Sequence, residues 1–84
     1  MKEEPGMEVL ERIGRALRAA GMEALPEDVH EDLAVHGMDS LMMVLSVAAL
    51  EKGFGLRIPA HAFSEESFQT LHALDGFMRS LGAR

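Results

Sequence analysis

The residues best suited to chemistry lie in Gly37-Met38-Asp39-Ser40-Leu41, where a serine hydroxyl follows an acidic side chain at the predicted start of a helix. An aspartate just before a helix accepts an N–H hydrogen bond from the first turn and so caps it. The same turn presents unpaired N–H groups and the positive end of the helix dipole, which favour an anion. Taken alone, Asp39 and Ser40 predict only a helix cap, with the Ser40 hydroxyl pointing out of the fold.

The histidines offer two rival chemistries. A metal site needs ligands at regular spacing, but no H-x-x-x-H or H-x-H pattern and no acid cluster occurs among His30, His36, His61 and His72. His36 lies one turn before Ser40, yet a serine nucleophile also needs an orienting group and an oxyanion pocket. The sequence therefore predicts no metal site and does not favour a hydrolase.

The composition narrows the class of protein. A chain of 84 residues is expected to form a single domain, here residues 1–84 with a core over about 7–81, and no large internal pocket. The absence of cysteine excludes disulfides and thiolate ligands. A net charge of −6 disfavours nucleic-acid binding. No segment has the apolar length of a membrane span, and Met1–Gly6 lacks a signal-peptide core, so we expect a cytoplasmic protein. We also expect a monomer.

Apolar spacing predicts three main helices and one short helix. The first helix has one apolar face and ends near Gly21; that face comprises Met7, Leu10, Ile13 and Leu17. The second begins after Asp39 and runs to about Lys52, with Gly53 and Gly55 ending it. Ser64 begins the short helix, and Thr70 caps the last, whose apolar face comprises Leu71, Leu74, Met78 and Leu81. We therefore expect an all-α fold, a small four-helix bundle with a long loop between helices 1 and 2.

The long loop, residues 21–39, is acidic. It contains no lysine or arginine, and its acids are Glu23, Glu27, Asp28, Glu31, Asp32 and Asp39. Its predicted apolar anchors are Leu25, Val29, Leu33 and Val35. The charge fits either a solvated loop or a surface offered to a basic partner.

The second helix is apolar on all sides, because Ser46 is the only polar side chain between Leu41 and Leu50. A domain this small cannot bury every side of a helix. We expect the core side to comprise Met43, Val47, Leu50 and Phe54. Leu41, Met42, Leu45 and Ala49 would then lie on or near the surface, where exposed apolar residues mark a binding surface.

The order of these features resembles the acyl carrier proteins, including the peptidyl carrier domains. The likeness covers about residues 7–81. It rests on Asp39-Ser40-Leu41 at the start of an apolar helix, followed by Phe54-Gly55-Leu56-Arg57-Ile58-Pro59 and a final amphipathic helix.

The resemblance implies that 4′-phosphopantetheine from coenzyme A is attached to Ser40 and carries acyl or aminoacyl groups as thioesters. It implies that Asp39 helps the transferase hold metal ions, that Leu41 lies beside the arm, and that Gly37 relieves the backbone. The chain itself would not be an enzyme. Its partners would be a phosphopantetheinyl transferase, an acyl or aminoacyl ligase or transferase, and downstream synthase enzymes. The expected partner surface comprises Met38, Met42, Leu45 and Ile58.

This chain departs from fatty-acid carriers after the serine. Met42 and Leu45 stand where those carriers have acids, which favours apolar docking, and His36 replaces a core leucine. The stretch Phe63–Leu71 resembles carriers that stand alone and serve one pathway, whether fatty-acid-like, polyketide or aminoacyl. The alternative is an unmodified helical adaptor that binds partners through its Met-rich apolar surface.

Overall fold

The fold is taken from a computed structural model that describes residues 5–84, with side chains from residue 8 onward. It contains three α-helices, α1 (Pro5–Ala20), α2 (Ser40–Phe54) and α3 (Leu71–Ser80). Three short 3-10 helices lie between them, at Leu33–His36, Ala60–Ala62 and Glu65–Phe68. No strand occurs in residues 5–84, which confirms the all-α prediction. The predicted fourth helix is the 3-10 turn after Ser64.

The helix boundaries follow local sequence. The Asp39 carboxylate accepts the N–H of Met42, and the Thr70 hydroxyl accepts that of Ala73, so the predicted caps of α2 and α3 are confirmed. Helix α2 ends at Gly55, whose φ of 66° is left-handed. Gly53 was expected to end this helix as well but lies inside it. A single glycine destabilises a helix by only about 1 kcal/mol, which packing offsets.

The core lies between the three helices. Residues with less than 2% exposure come from all three helices and two 3-10 turns; they include Ile13, Leu17, Leu33, Leu50, Phe68, Leu74 and Met78. On α2 the predicted core side is confirmed, because Leu50 is fully buried and the side chains of Met43, Val47 and Phe54 pack against the core. Met7, predicted on the α1 face, lies outside the described side chains.

The connection between α1 and α2 is tied to the beginning of α3. The Leu33 N–H donates to the Gln69 carbonyl at 2.7 Å, and the His72 N–H donates to the Val29 carbonyl at 2.9 Å. Leu33 is fully buried, as predicted. The prediction that Val35 is an apolar anchor is wrong, since this side chain is 74% exposed. The tight 3-10 turn directs Leu33 inward and Val35 outward. The two hydrogen bonds hold the connection against the beginning of α3 before it reaches the Asp39-Ser40 motif.

The described helices show no candidate membrane span, because none combines sufficient length with sufficient apolar character.

Candidate functional site

Ser40 is the first residue of α2, and its side chain is exposed. The preceding residue, Asp39, is extended (φ −106°, ψ −171°), and its carboxylate accepts the Met42 N–H at 2.9 Å. The first intrahelical bond runs from the Met43 N–H to the Asp39 carbonyl. The N–H groups of Ser40 and Leu41 therefore precede the hydrogen-bond ladder and lie at the positive end of the helix dipole.

The turn before Ser40 depends on Gly37. Its φ of 106° is left-handed, and its N–H donates to the Ala34 carbonyl at the end of the Leu33–His36 turn. A Cβ atom at this position would meet open space, so the backbone conformation, and not crowding, favours glycine. The prediction that Gly37 relieves the backbone here is confirmed.

The buried Met38 side chain anchors this turn to the core. Its side chain is 4% exposed, and its N–H donates to the Leu33 carbonyl at 3.0 Å. The Ser46 hydroxyl, fully buried in α2, donates to the Met38 Sδ at 4.0 Å. The expectation that Met38 belongs to the partner surface is therefore wrong, because the turn directs its side chain into the core.

Ile58 is also misplaced in the predicted partner surface. Its N–H donates to a Glu51 carboxylate oxygen at 2.7 Å, which holds the extended segment after α2 against the helix. This path turns the Ile58 side chain inward, where it is 7% exposed. Only its edge reaches the surface, in a shallow hollow of about 320 Å³ that Val44 and Phe63 help to line.

The surface beside Ser40 is formed by Leu41, Val44 and Leu45, which are 67%, 65% and 42% exposed. These three residues are called the exposed α2 face. Leu41 and Leu45 were expected there, but Val44 was missed, although it lies one turn after Ser40 and that spacing could have indicated it. Met42, also expected, is half-buried, because it packs against the core, near Gly21.

His36 does not form a catalytic pair in this arrangement. It is half-buried, and its Nε2 lies 3.1 Å from a Glu31 carboxylate oxygen. Among residues whose side chains are described, no group of three or more histidine, aspartate or glutamate side chains could hold a metal ion. The described chemistry of the site is therefore that of an exposed hydroxyl at a helix start, beside an apolar surface.

Comparison with known protein families identifies a match over most of the chain. Residues 8–74 match the family described as "Phosphopantetheine attachment site". Neither the curated proteins nor the solved structures give a significant match. The family match spans most of the 84 residues and confirms the resemblance to acyl carrier proteins. This chain therefore belongs to the phosphopantetheine attachment site family, whose members bear a covalent 4′-phosphopantetheine group.

Proposed function

We propose that Ser40 is the attachment point, and that the chain carries acyl or aminoacyl groups for other enzymes without catalysing a reaction itself. The observation that carries this proposal is the exposed Ser40 hydroxyl at the first position of α2, directly behind the Asp39 cap. A transferase can reach this hydroxyl without unfolding the helix. Ser46, the other serine of α2, is fully buried.

The residues around Ser40 fit a phosphodiester. In the attachment reaction the Ser40 hydroxyl gives its proton to a base of the transferase, and its oxygen bonds to the phosphorus of coenzyme A that bears the pantetheine. The pyrophosphate P–O bond breaks, and adenosine 3′,5′-bisphosphate leaves with the bonding electrons. The product bears a negative charge beside the N–H groups of Ser40 and Leu41, which favour an anion. When attached, the group supplies the thiol that this cysteine-free chain lacks, and so allows a thioester.

Asp39 has two roles in this proposal. Its carboxylate holds the first turn of α2 through the Met42 N–H, and this fixes the position of Ser40. The side chain is also exposed, so a transferase can reach it while one oxygen remains hydrogen-bonded. By the family resemblance, Asp39 would then contribute to binding the metal ions that assist phosphoryl transfer.

Proteins of this family are modified by a phosphopantetheinyl transferase and serve biosynthetic enzymes. For this chain, we propose recognition through the exposed α2 face. Its member Leu45 is aliphatic where fatty-acid carriers have an acid, so loading enzymes would bind by apolar contact. This feature, with the likeness of residues 63–71 to stand-alone carriers, supports a specialised carrier for a fatty-acid-like, polyketide or aminoacyl group.

The deciding experiment is incubation with coenzyme A and a phosphopantetheinyl transferase of broad specificity, followed by intact-mass and peptide mass spectrometry. The wild-type chain should gain one phosphopantetheine on Ser40, and Ser40→Ala should gain none while keeping its helical far-UV circular dichroism. Ser64→Ala provides a matched control, because Ser64 is also exposed and should not affect labelling.

Two results would refute the proposal. Labelling of the Ser40→Ala variant, at Ser46, Ser64, Ser67 or Ser80, would move the attachment point. A wild-type chain that stays unmodified would instead favour the adaptor, which binds partners through the exposed α2 face without a prosthetic group.

A further inference from the structure

A second surface lies between α1 and α2, along residues 12–20 of α1 and 45–53 of α2. It is an open groove of about 720 Å³. Leu45 of the exposed α2 face also lines the groove, whose floor is formed by small residues from both helices, namely Ala16, Ala19, Ala20, Ala48, Ala49 and Gly53. The two helices lie close together at this floor, since a Cβ added to Gly53 would lie 3.9 Å from the Ala16 Cβ. The groove is therefore shallow and apolar at its base.

The rim of the groove is positively charged. Arg12, Arg15 and Lys52 line it, and no aspartate or glutamate among the side chains described from residue 8 onward does. Arg12 is held in place, because it donates to the Arg84 and Gly53 carbonyls and lies 4.3 Å from the centroid of the Phe54 ring. Arg15, on α1, and Lys52, on α2, are exposed. This concentration of positive charge is notable in a chain with a net charge of −6.

We propose that this groove docks an amphipathic helix of a partner protein, with small or aliphatic residues on one face and acidic residues on its flanks. The alanine floor allows the backbone of a third helix to approach α1 and α2 closely, as ridges-into-grooves packing requires. From Arg12 to Ala20 the groove extends about 12 Å along α1, which matches about two turns of the incoming helix. Acids on its flanks would pair with Arg15 on one side and Lys52 on the other.

The charge distribution favours a partner protein over two other occupants. An anionic membrane would attract the rim but repel the acidic remainder of the chain. A second copy of this chain offers no matching helix in its described part. Each α-helix there mixes both signs of charge, as Asp75 and Arg79 do in α3.

The position of the groove gives the docking a use. Lys52 lies twelve residues beyond Ser40 on α2, which is about 18 Å along the helix axis. A partner helix in the groove would contact Leu45 but leave Ser40, Leu41 and Val44, which do not line the groove, uncovered. An enzyme that contacts only Leu41 and Val44 could therefore act at Ser40 while the partner stays bound, whereas one that needs Leu45 would compete with the partner. This docking does not require that Ser40 be modified.

The test uses a synthetic amphipathic peptide of roughly 18 residues, long enough for about five helical turns, with an alanine and leucine face flanked by glutamates. A second peptide has lysine at every glutamate position. Each is titrated into the full-length, isotope-labelled chain at low ionic strength while backbone amide shifts are recorded. We expect the glutamate peptide to bind with shifts centred on Ala16, Ala48 and Gly53, and the lysine peptide not to bind.

Matched variants locate the contact. Lys52→Glu should weaken binding about three- to tenfold, because an attraction becomes a repulsion, whereas Arg57→Glu should leave it unchanged. Arg57 is exposed but lies outside the groove. Ala48→Trp, which fills the floor, should abolish binding, and Val44→Trp should not. Circular dichroism melts of each variant check that the fold is kept.

Several outcomes would overturn the proposal. They are no binding, equal binding of the lysine peptide, equal effects of Lys52→Glu and Arg57→Glu, or shifts confined to Leu41 and Val44. Groove shifts that appear when the chain alone is concentrated would assign the groove to a second copy. Groove shifts with anionic vesicles, but not with the peptide, would assign it to a membrane. The peptide titration should give the same result with Ser40→Ala, so the outcome for the groove is independent of the proposed attachment site.

Discussion

The Ser46 hydroxyl lies 4.0 Å from the Met38 Sδ in the interior, and this contact joins the middle of α2 to the turn that precedes Ser40. Ser46 is completely buried and Met38 is 4% exposed. A thioether is a weak hydrogen-bond acceptor, so packing of the Met38 side chain contributes more than the hydrogen bond does. The position of the Asp39-Ser40 motif therefore depends chiefly on an apolar anchor.

Truncating the two partners should have unequal effects. Ser46→Ala should change the free energy of unfolding by less than about 1 kcal/mol, because the lost bond is weak and alanine favours the helix. Met38→Ala should cost about 2–5 kcal/mol through the cavity it leaves. Urea unfolding monitored by circular dichroism measures both. Similar losses for the two variants would show that the hydroxyl is essential to the anchor.

Two glycines at the end of α2 should respond oppositely to alanine. Gly53 is helical, and a Cβ there would make ordinary contact with Ala16, so Gly53→Ala should stabilise by about 0.5–1 kcal/mol. Gly55 has a φ of 66°, so Gly55→Ala should destabilise by about 1–2 kcal/mol. Thermal melts of the two variants provide mutual controls. Changes of the same sign in both would contradict the assigned end of α2.

The helix caps could be predicted from the sequence because capping is local. Asp39 and Thr70 act on N–H groups three residues away, and both predictions are confirmed. The orientation of apolar residues was less predictable. The first helical turns of α2 carry no charged side chain that would identify the solvent side, so Val44 was missed.

Met38 and Ile58 were misplaced for a related reason. Their burial accompanies turn contacts that span five and seven residues, to Leu33 for Met38 and to Glu51 for Ile58, and the apolar spacing of helices does not report such contacts. The family motif predicted which hydroxyl is important, whereas tertiary packing determines which apolar residues surround it.

Two variants of Asp39 should distinguish its role as a helix cap from its role in modification. Asp39→Ala should lower the free energy of unfolding by about 1 kcal/mol, because the Met42 N–H loses its acceptor. Asp39→Asn keeps an acceptor oxygen and should be nearly as stable as the wild type. If the carboxylate also serves metal binding in the transferase complex, both variants should be modified slowly. Stability is measured by urea unfolding and modification by mass spectrometry. Rapid modification of Asp39→Asn would limit the role of Asp39 to capping.

The acidic connection should make stability depend on salt. Glu23, Glu27 and Asp28 are exposed, and a Glu31 carboxylate oxygen lies 3.1 Å from the His36 Nε2. Because like charges repel most strongly at low ionic strength, added sodium chloride or magnesium should raise the melting temperature. A gain of 1 kcal/mol corresponds to about 4–8 °C in a domain of this size.

Neutralising variants test the origin of that salt effect. Glu27→Gln should raise the melting temperature in low salt and reduce its response to added salt, whereas Glu65→Gln, outside the segment, should do neither. A melting temperature that does not change with salt would show that the fold already compensates these charges.

Substitutions at Leu45 and Met42 should distinguish effects on partner binding from effects on folding. The sequence predicted both as outward-facing, but Leu45 is 42% exposed whereas Met42 is half-buried and packs against the core. Leu45→Glu should therefore leave the melting temperature nearly unchanged, and Met42→Glu should lower it, because a charge would lie against apolar neighbours.

Under the proposed apolar docking, Leu45→Glu should reduce loading by the cognate ligase by about ten- to a hundredfold, the scale of one lost Leu contact of 1.5–3 kcal/mol. Gln69→Glu is the control for charge, because Gln69 is exposed outside α2 and the variant adds the same single negative charge. The readout is kcat/KM for loading at low and high salt. A defect that disappears at high salt would indicate electrostatic repulsion. Loading that is unaffected by Leu45→Glu would show that the ligase does not bind the exposed α2 face.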